Sequence, residues 1–263
     1  MPIVESALLG LSAALVVAAS TWLASLKQHD VSLVDRVWAF IVVAPAAVYA
    51  WTLPWQGPRP TAMAVLLLLW AVRLSAYISW RNWGHGEDRR YQAIRARNEP
   101  HFAWKSFYLV FVLQAALGWL VSMPFLAAMA GSTAQAARWN SVDSVGATLV
   151  IVGLVFETLG DQQLASFKRD PANRGQVMDR GVWRYSRHPN YFGEFCVWWG
   201  FFVMALHVGG WWSVLSPLLM SVLLLKVSGV GLLEKDIGER RPAYRDYVRR
   251  TNAFFPGPPR RLA

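Results

Sequence analysis

The stretch Asp179-Arg180-Gly181-Val182-Trp183-Arg184-Tyr185-Ser186-Arg187-His188-Pro189-Asn190-Tyr191-Phe192-Gly193-Glu194 gathers more chemically capable side chains than any other in the sequence. Its arginines offer forked donors that match phosphate oxygens. Pro189 suits the first turn of a helix, where free N–H groups point toward an anion. Tyr and Asn side chains supply the neutral hydrogen bonds that a ribose or an amide takes. Such a set suits a nucleotide. An interfacial anchor, with arginines on lipid headgroups and Tyr and Trp in an aromatic belt, accounts for the charges too. It leaves Asn190 and Glu194 unexplained. They stand i, i+4 on one helical face inside an apolar segment, where each needs a buried polar partner.

Other polar residues stand where a membrane would make them costly, at about 2.5–3.5 kcal/mol for each charge. Asp35-Arg36 opens the second apolar segment, Arg73 and Tyr77 share a face of the third, and Asp161 and Lys226 lie near segment ends. Arg36 and Lys226 read as side chains that snorkel to the interface. Arg73 lies mid-segment and calls for a counter-charge such as Asp35, in a structural or a catalytic pair. Tyr77 is either an interfacial aromatic or a catalytic acid. It precedes the run Arg81-Asn82-Trp83-Gly84-His85-Gly86-Glu87-Asp88-Arg89-Arg90-Tyr91, which is too polar and too specific for a spacer. A last polar set, Glu234-Lys235-Asp236 and Arg240-Arg241-Pro242-Ala243-Tyr244-Arg245-Asp246-Tyr247, precedes Phe254-Phe255-Pro256. It closes over the same nucleotide or forms a solvated amphipathic tail.

Several chemistries find no support. Gly-x-Gly-x-x-Gly and Walker patterns are absent, so a nucleotide would bind between helices. His29, His85, His101, His188 and His207 show no metal-ligand spacing, and no metal is expected. There is no Gly-x-Ser-x-Gly elbow for hydrolysis. Cys196 stands alone, which excludes a disulfide framework and a thiolate cluster.

The elements that must position these residues are membrane helices. The chain has 263 residues, 55% of them hydrophobic, and 15 Trp, which is too apolar and too aromatic for a soluble domain of this size. Apolar segments near 3–26, 32–53, 61–80, 105–129, 144–163, 190–208 and 211–233 predict one all-α integral membrane domain of seven transmembrane helices. Breaks at Pro54, Pro58, Pro60 and Gly209-Gly210 mark tight turns. The first segment carries Glu5 and no basic flank, so it reads as a retained span and not as a cleaved signal. The net charge of +10 is a matter of topology rather than of nucleic acid. Lys and Arg crowd the 81–105 link, the 164–189 link and the tail, whereas the alternate links carry Arg59 and Arg138 only. Seven spans then put every basic link in the cytoplasm, with the N-terminus outside and the C-terminus inside.

Arg187-His188-Pro189-Asn190-Tyr191-Phe192-Gly193-Glu194, with Asp161 upstream and Tyr244-Arg245-Asp246-Tyr247 and Phe255-Pro256 downstream, resembles the C-terminal half of steroid 5-alpha-reductases. The resemblance covers about residues 150–256 and is closest to a bacterial branch that also carries a link of the Gly86-Glu87-Asp88-Arg89-Arg90-Tyr91 type. It implies an inner-membrane enzyme in which residues 1–130 form a four-helix cavity for an apolar, steroid-like enone. Residues 144–263 would then hold NADPH at the cytoplasmic side. By motif, the cofactor residues are Asp161, Lys168, Arg180, Tyr185, Arg187, His188, Asn190, Tyr191 and Glu194, joined by Lys235 and Tyr244 from the tail. The family polarises the substrate carbonyl with a Gln-Glu pair on the second span and a Tyr on the third. No such pair is present here, and Asp35 and Tyr77 take those places as the catalytic residues. Hydride would pass to the beta carbon while a hydrogen-bond donor stabilises the developing enolate oxygen. No protein partner is required.

Two other classes compete. Membrane S-adenosylmethionine methyltransferases of the isoprenylcysteine or phospholipid type resemble the chain in an Arg-His-Pro-x-Tyr segment at the start of a late span. Asn190, Glu194 and the flanking arginines favour NADPH, because S-adenosylmethionine has no phosphate to neutralise. In a non-catalytic transporter, Asp35, Arg73 and Asp161 would line a path.

Overall fold

The computed structural model describes residues 1–133, 138–227 and 243–260. All secondary structure among them is helical. Among the described residues six helices are long and apolar enough to cross a membrane: α1 (Ile3–Gln28), α2 (Leu33–Thr52), α3 (Pro58–Arg81), α5 (Phe102–Gly131), α6 (Ser141–Arg169) and α8 (Gly210–Val227). Shorter helices are α4 (Arg89–Asn98), α7 (Pro189–Leu206) and α9 (Ala243–Arg250). The expected sixth span forms α7, but Asn190, Tyr191 and Glu194 dilute its apolar character, so six candidate spans stand where the sequence predicts seven. The architecture fits a multi-pass integral membrane protein.

The chain divides into two compact units, 1–143 with 204–216, and 144–203 with 217–263. The first unit shows which solvent it is built for. On α1 the buried residues are Ser6, Gly10, Ala14, Ala18, Thr21 and Ser25, whereas Leu8, Leu9, Val16 and Leu23 face outward. Small residues inside and large apolar ones outside invert the soluble pattern and let helices approach closely in lipid. Gly10 is required, since a Cβ there would lie 2.5 Å from the buried ring of Tyr49. The α1–α2 turn is closed by Asp30, which accepts the Ser32 N–H at 2.9 Å. His29 precedes it in the left-handed region at φ 52°.

Near the ends of this unit's helices that lie away from that turn, Arg59 is fully buried. Its guanidinium donates to Asp143 Oδ2 at 2.9 Å, Ser132 Oγ at 3.3 Å and the Arg138 carbonyl at 3.2 Å. The sequence counts Arg59 as a charge in a link, but the structure spends it inside on a carboxylate that is itself fully buried.

The second unit is organised by glycines. Gly146, Gly153 and Gly160 recur every seven residues on α6, and Gly193 and Gly200 do so on α7. A Cβ on Gly193 would lie 2.5 Å from the Gly153 carbonyl, and one on Gly200 would lie 2.6 Å from that of Gly146. The two helices therefore run antiparallel with their backbones in contact, which sets the register of every side chain between them.

Candidate functional site

That close packing assembles a polar cluster where α7 begins. Asp161 on α6 accepts a hydrogen bond from Asn190 Nδ2 at 3.2 Å, and Glu194 Oε1 accepts from Trp198 Nε1 at 2.7 Å. Asp161, Arg187, His188 and Glu194 are all buried. His188 and Tyr191 stack with ring centroids 5.6 Å apart and planes 4° from parallel. Glu157, one turn before Asp161 on the same face of α6, is buried as well, and the sequence analysis missed it. Its i, i+4 spacing to Asp161 was the available signal. Lys168, Arg180 and Arg184 remain exposed, as does Tyr185, so three cations and a phenol stand outside the buried cluster. This combination of buried neutral and acidic acceptors with exposed cations has the chemistry to hold a nucleotide.

Not every motif residue points to a ligand. Arg187 Nη1 donates to the carbonyls of Thr251 at 2.6 Å and Val248 at 3.2 Å, at the C-terminal end of α9 where carbonyls lack helical partners. Its own N–H bonds the Asn252 carbonyl at 2.9 Å. Ser186 Oγ donates to the Phe254 carbonyl at 2.7 Å, and the Tyr247 hydroxyl to the Trp183 carbonyl. Arg250 pairs with Asp179 at 3.1 Å. Residues 243–257 are thus fastened to the motif, with Tyr244 buried. Lys235 lies outside the described residues.

In the first unit the 81–105 link folds over the start of α2. Asp35 Oδ1 accepts the Tyr91 hydroxyl at 2.7 Å and Oδ2 accepts Arg90 Nη2 at 2.9 Å. Asp88 caps α4 by accepting the Arg90 N–H at 2.9 Å and also takes Arg90 Nε at 3.0 Å. Glu87 receives a two-pronged bond from Arg95 at 2.9 and 2.8 Å, and the Val31 N–H at 2.9 Å. Burial would raise the Glu87 carboxyl, but the hydrogen bonds from Arg95 and Val31 hold it below its usual range. Burial, followed by the Asp35 charge, pushes the Tyr91 phenol up. Burial opposes the Arg90 charge, yet Asp88 and Asp35 raise its affinity for the proton.

Tyr77 belongs to a neighbouring group. Its ring lies 5.9 Å from the Arg73 guanidinium, 5.7 Å from that of Arg81 and 6.0 Å from the Trp80 ring. The phenol on Asp35 is Tyr91, which sits 56 residues away in sequence, a separation at which spacing carries no signal. No group of three or more His, Cys, Asp or Glu among the described residues could hold a metal ion.

A family model described as "Protein of unknown function (DUF1295)" matches residues 21–251. An uncharacterized protein of Schizosaccharomyces pombe is 26% identical over 270 aligned residues, covering 89% of this chain and 75% of the relative. No solved structure matches.

Proposed function

The chain belongs to the DUF1295 family, which is related to steroid 5-alpha-reductase-like membrane proteins, and from that footing we propose that it is an NADPH-dependent membrane reductase. Its substrate is a 3-oxo-Δ4 steroid or a related lipid-like enone, reduced at the carbon–carbon double bond. The observation that carries the reading is the part-buried Asp161–Asn190 pair beside Glu194 and the His188–Tyr191 stack, at the head of a helix that follows a basic link. Polar groups that costly are retained in apolar helices for binding more often than for packing.

In this reading Lys168, Arg180 and Tyr185 take phosphate and ribose oxygens, whereas Asp161, Asn190 and Glu194 take neutral hydrogen-bonding groups. Bound NADPH supplies the hydride. Arg187 acts by fastening residues 243–257 rather than as a phosphate ligand. The proton donor to the substrate oxygen is the phenol of Tyr77, since the Tyr91 proton is already given to Asp35, which makes Tyr91 the poorer acid. Tyr77 lies between Arg73 and Arg81, and Tyr91 is held by Asp35. Asp35→Asn, Tyr77→Phe and Tyr91→Phe separate them, because the donor's loss lowers turnover about 100-fold or more with cofactor binding intact. The basic links face the cytoplasm of a bacterial inner membrane and the N-terminus faces outward.

The deciding experiment is the melting temperature of the detergent-purified protein with NADPH, NADH or S-adenosylmethionine. NADPH at a hundredfold excess over its dissociation constant stabilises a specific binder by about 2.7 kcal/mol. A shift with S-adenosylmethionine alone makes the chain a membrane methyltransferase. No shift with any of the three removes the enzyme reading, and equal shifts with NADH and NADPH remove the preference for the 2′-phosphate.

A further inference from the structure

A cavity of about 450 Å³ opens in the first unit between the α1–α2 turn and the α3–α4 link. Its walls include His29, Asp30, Arg36, Trp83, His85 and Glu87. Except for Arg36, in the first turn of α2, these residues follow the end of α1 at Gln28 or the end of α3 at Arg81. The cavity therefore sits where candidate spans leave the apolar layer, at the depth of lipid headgroups.

Its electrostatics select a ligand class. Arg36 Nε is buried and has no hydrogen-bond partner. The rest of the guanidinium is held only loosely, with Nη2 3.6 Å from Asp30 Oδ2 and 3.4 Å from the Asn82 carbonyl. Nε is enclosed, so a phosphate oxygen in the cavity takes its bonds from the terminal nitrogens, and it is a strong acceptor. A simple anion, however, would also meet the carboxylates of Asp30 and Glu87. Arg36 and Arg95 offset those two charges, so the site as a whole is neutral. A simple cation would meet Arg36. A zwitterion satisfies both ends, with phosphate on Arg36 and an amine beside the carboxylates or against the face of Trp83, which is 79% exposed. Gly84, in the left-handed region at φ 72°, and Gly86 leave that wall open, since a Cβ on either would meet nothing within 4 Å. We infer that this cavity binds the headgroup of a zwitterionic phospholipid of the phosphoethanolamine type, through Arg36 and Trp83.

Native mass spectrometry of the full chain in detergent tests the assignment with three probes: dihexanoyl-phosphatidylethanolamine, dihexanoyl-phosphatidylglycerol and O-phosphoethanolamine. The ethanolamine lipid should bind about tenfold more tightly than the glycerol lipid, and Arg36→Ala, which removes the partner of the phosphate they share, should weaken both about tenfold or more. Arg36→Lys keeps the charge but lacks the forked guanidinium, and it should recover only a small part. Trp83→Ala, a change at an exposed indole, should weaken binding several-fold and keeps the test decisive if Arg36→Ala does not fold. O-phosphoethanolamine binding as tightly as the lipid would support the same chemistry with a soluble source. Equal binding of the two lipids, or wild-type affinity in both the Arg36→Ala and Trp83→Ala proteins, would overturn the inference. NADPH-induced stabilisation is read separately in the same proteins, so loss of one binding event does not mimic loss of the other.

Discussion

Arg187 shows how a residue's type can suggest one partner and its surroundings supply another. Its charge and motif position suit a phosphate, yet Nη1 is committed to two carbonyls at the end of α9. Arg187→Ala should leave those two carbonyls, of which Thr251's is buried, without this donor and free the tail. Limited trypsin cleavage at Arg249 or Arg250 should then run at least tenfold faster, a change that loss of a phosphate contact alone would not produce. Glu87 gives a residue-scale prediction in pH. Its folded pKa lies below the ordinary value of 4.5, so its stabilisation is complete above that value and is lost as pH falls through the folded pKa. The 84–98 link should therefore exchange amide hydrogens faster as pH drops below about 4.5, after correction for intrinsic exchange. In Glu87→Gln the link should already be loose at neutral pH and show no such pH step.

At the scale of elements, the contact between α6 and α7 is the part on which the candidate site depends. Gly193→Leu cannot be absorbed by a rotamer change, because the first added atom meets the Gly153 carbonyl at 2.5 Å and Glu157 Cγ at 2.8 Å. Separating the helices should cost about 1–3 kcal/mol or more and pull Asn190 from Asp161. Thermal melting checks the first effect. A weaker NADPH-induced shift, measured where both proteins are folded, checks the second. Much of this element was legible in the sequence: the Pro-led start at Pro189 and the one-face spacing of Asn190 and Glu194 both locate α7. The seven-residue spacing of the glycines was equally visible, but spacing on one helix does not say which helix it meets. The pairs Arg59 with Asp143, 84 residues apart, and Tyr91 with Asp35 were beyond pattern reading altogether. They arise where the chain returns to itself, and a local period carries no information about that.

For the whole molecule, hydropathy identified the membrane class and the boundaries of α1, α2 and α3 to within a few residues, because long apolar runs have few alternatives in water or lipid. It is weakest at α7, where Asn190, Tyr191 and Glu194 lower the apolar character of the expected sixth span. This bears directly on topology. If α7 crosses despite its polar start, seven crossings place the two termini on opposite sides, whereas six crossings place them on the same side. The charge distribution argues for seven, since the Arg-rich 81–105 and 164–189 links and the tail then share one face, and the remaining links carry only Arg59 and Arg138. Burial of Arg59 against Asp143 strengthens that argument by removing one of the two charges from the basic-poor face. Single cysteines introduced at positions 2 and 257 of a Cys196→Ala background should therefore label from opposite sides of intact membrane vesicles. Labelling of both from one side would mean that α7 does not cross, and the placement of the tail on the same face as the 164–189 link would have to be abandoned.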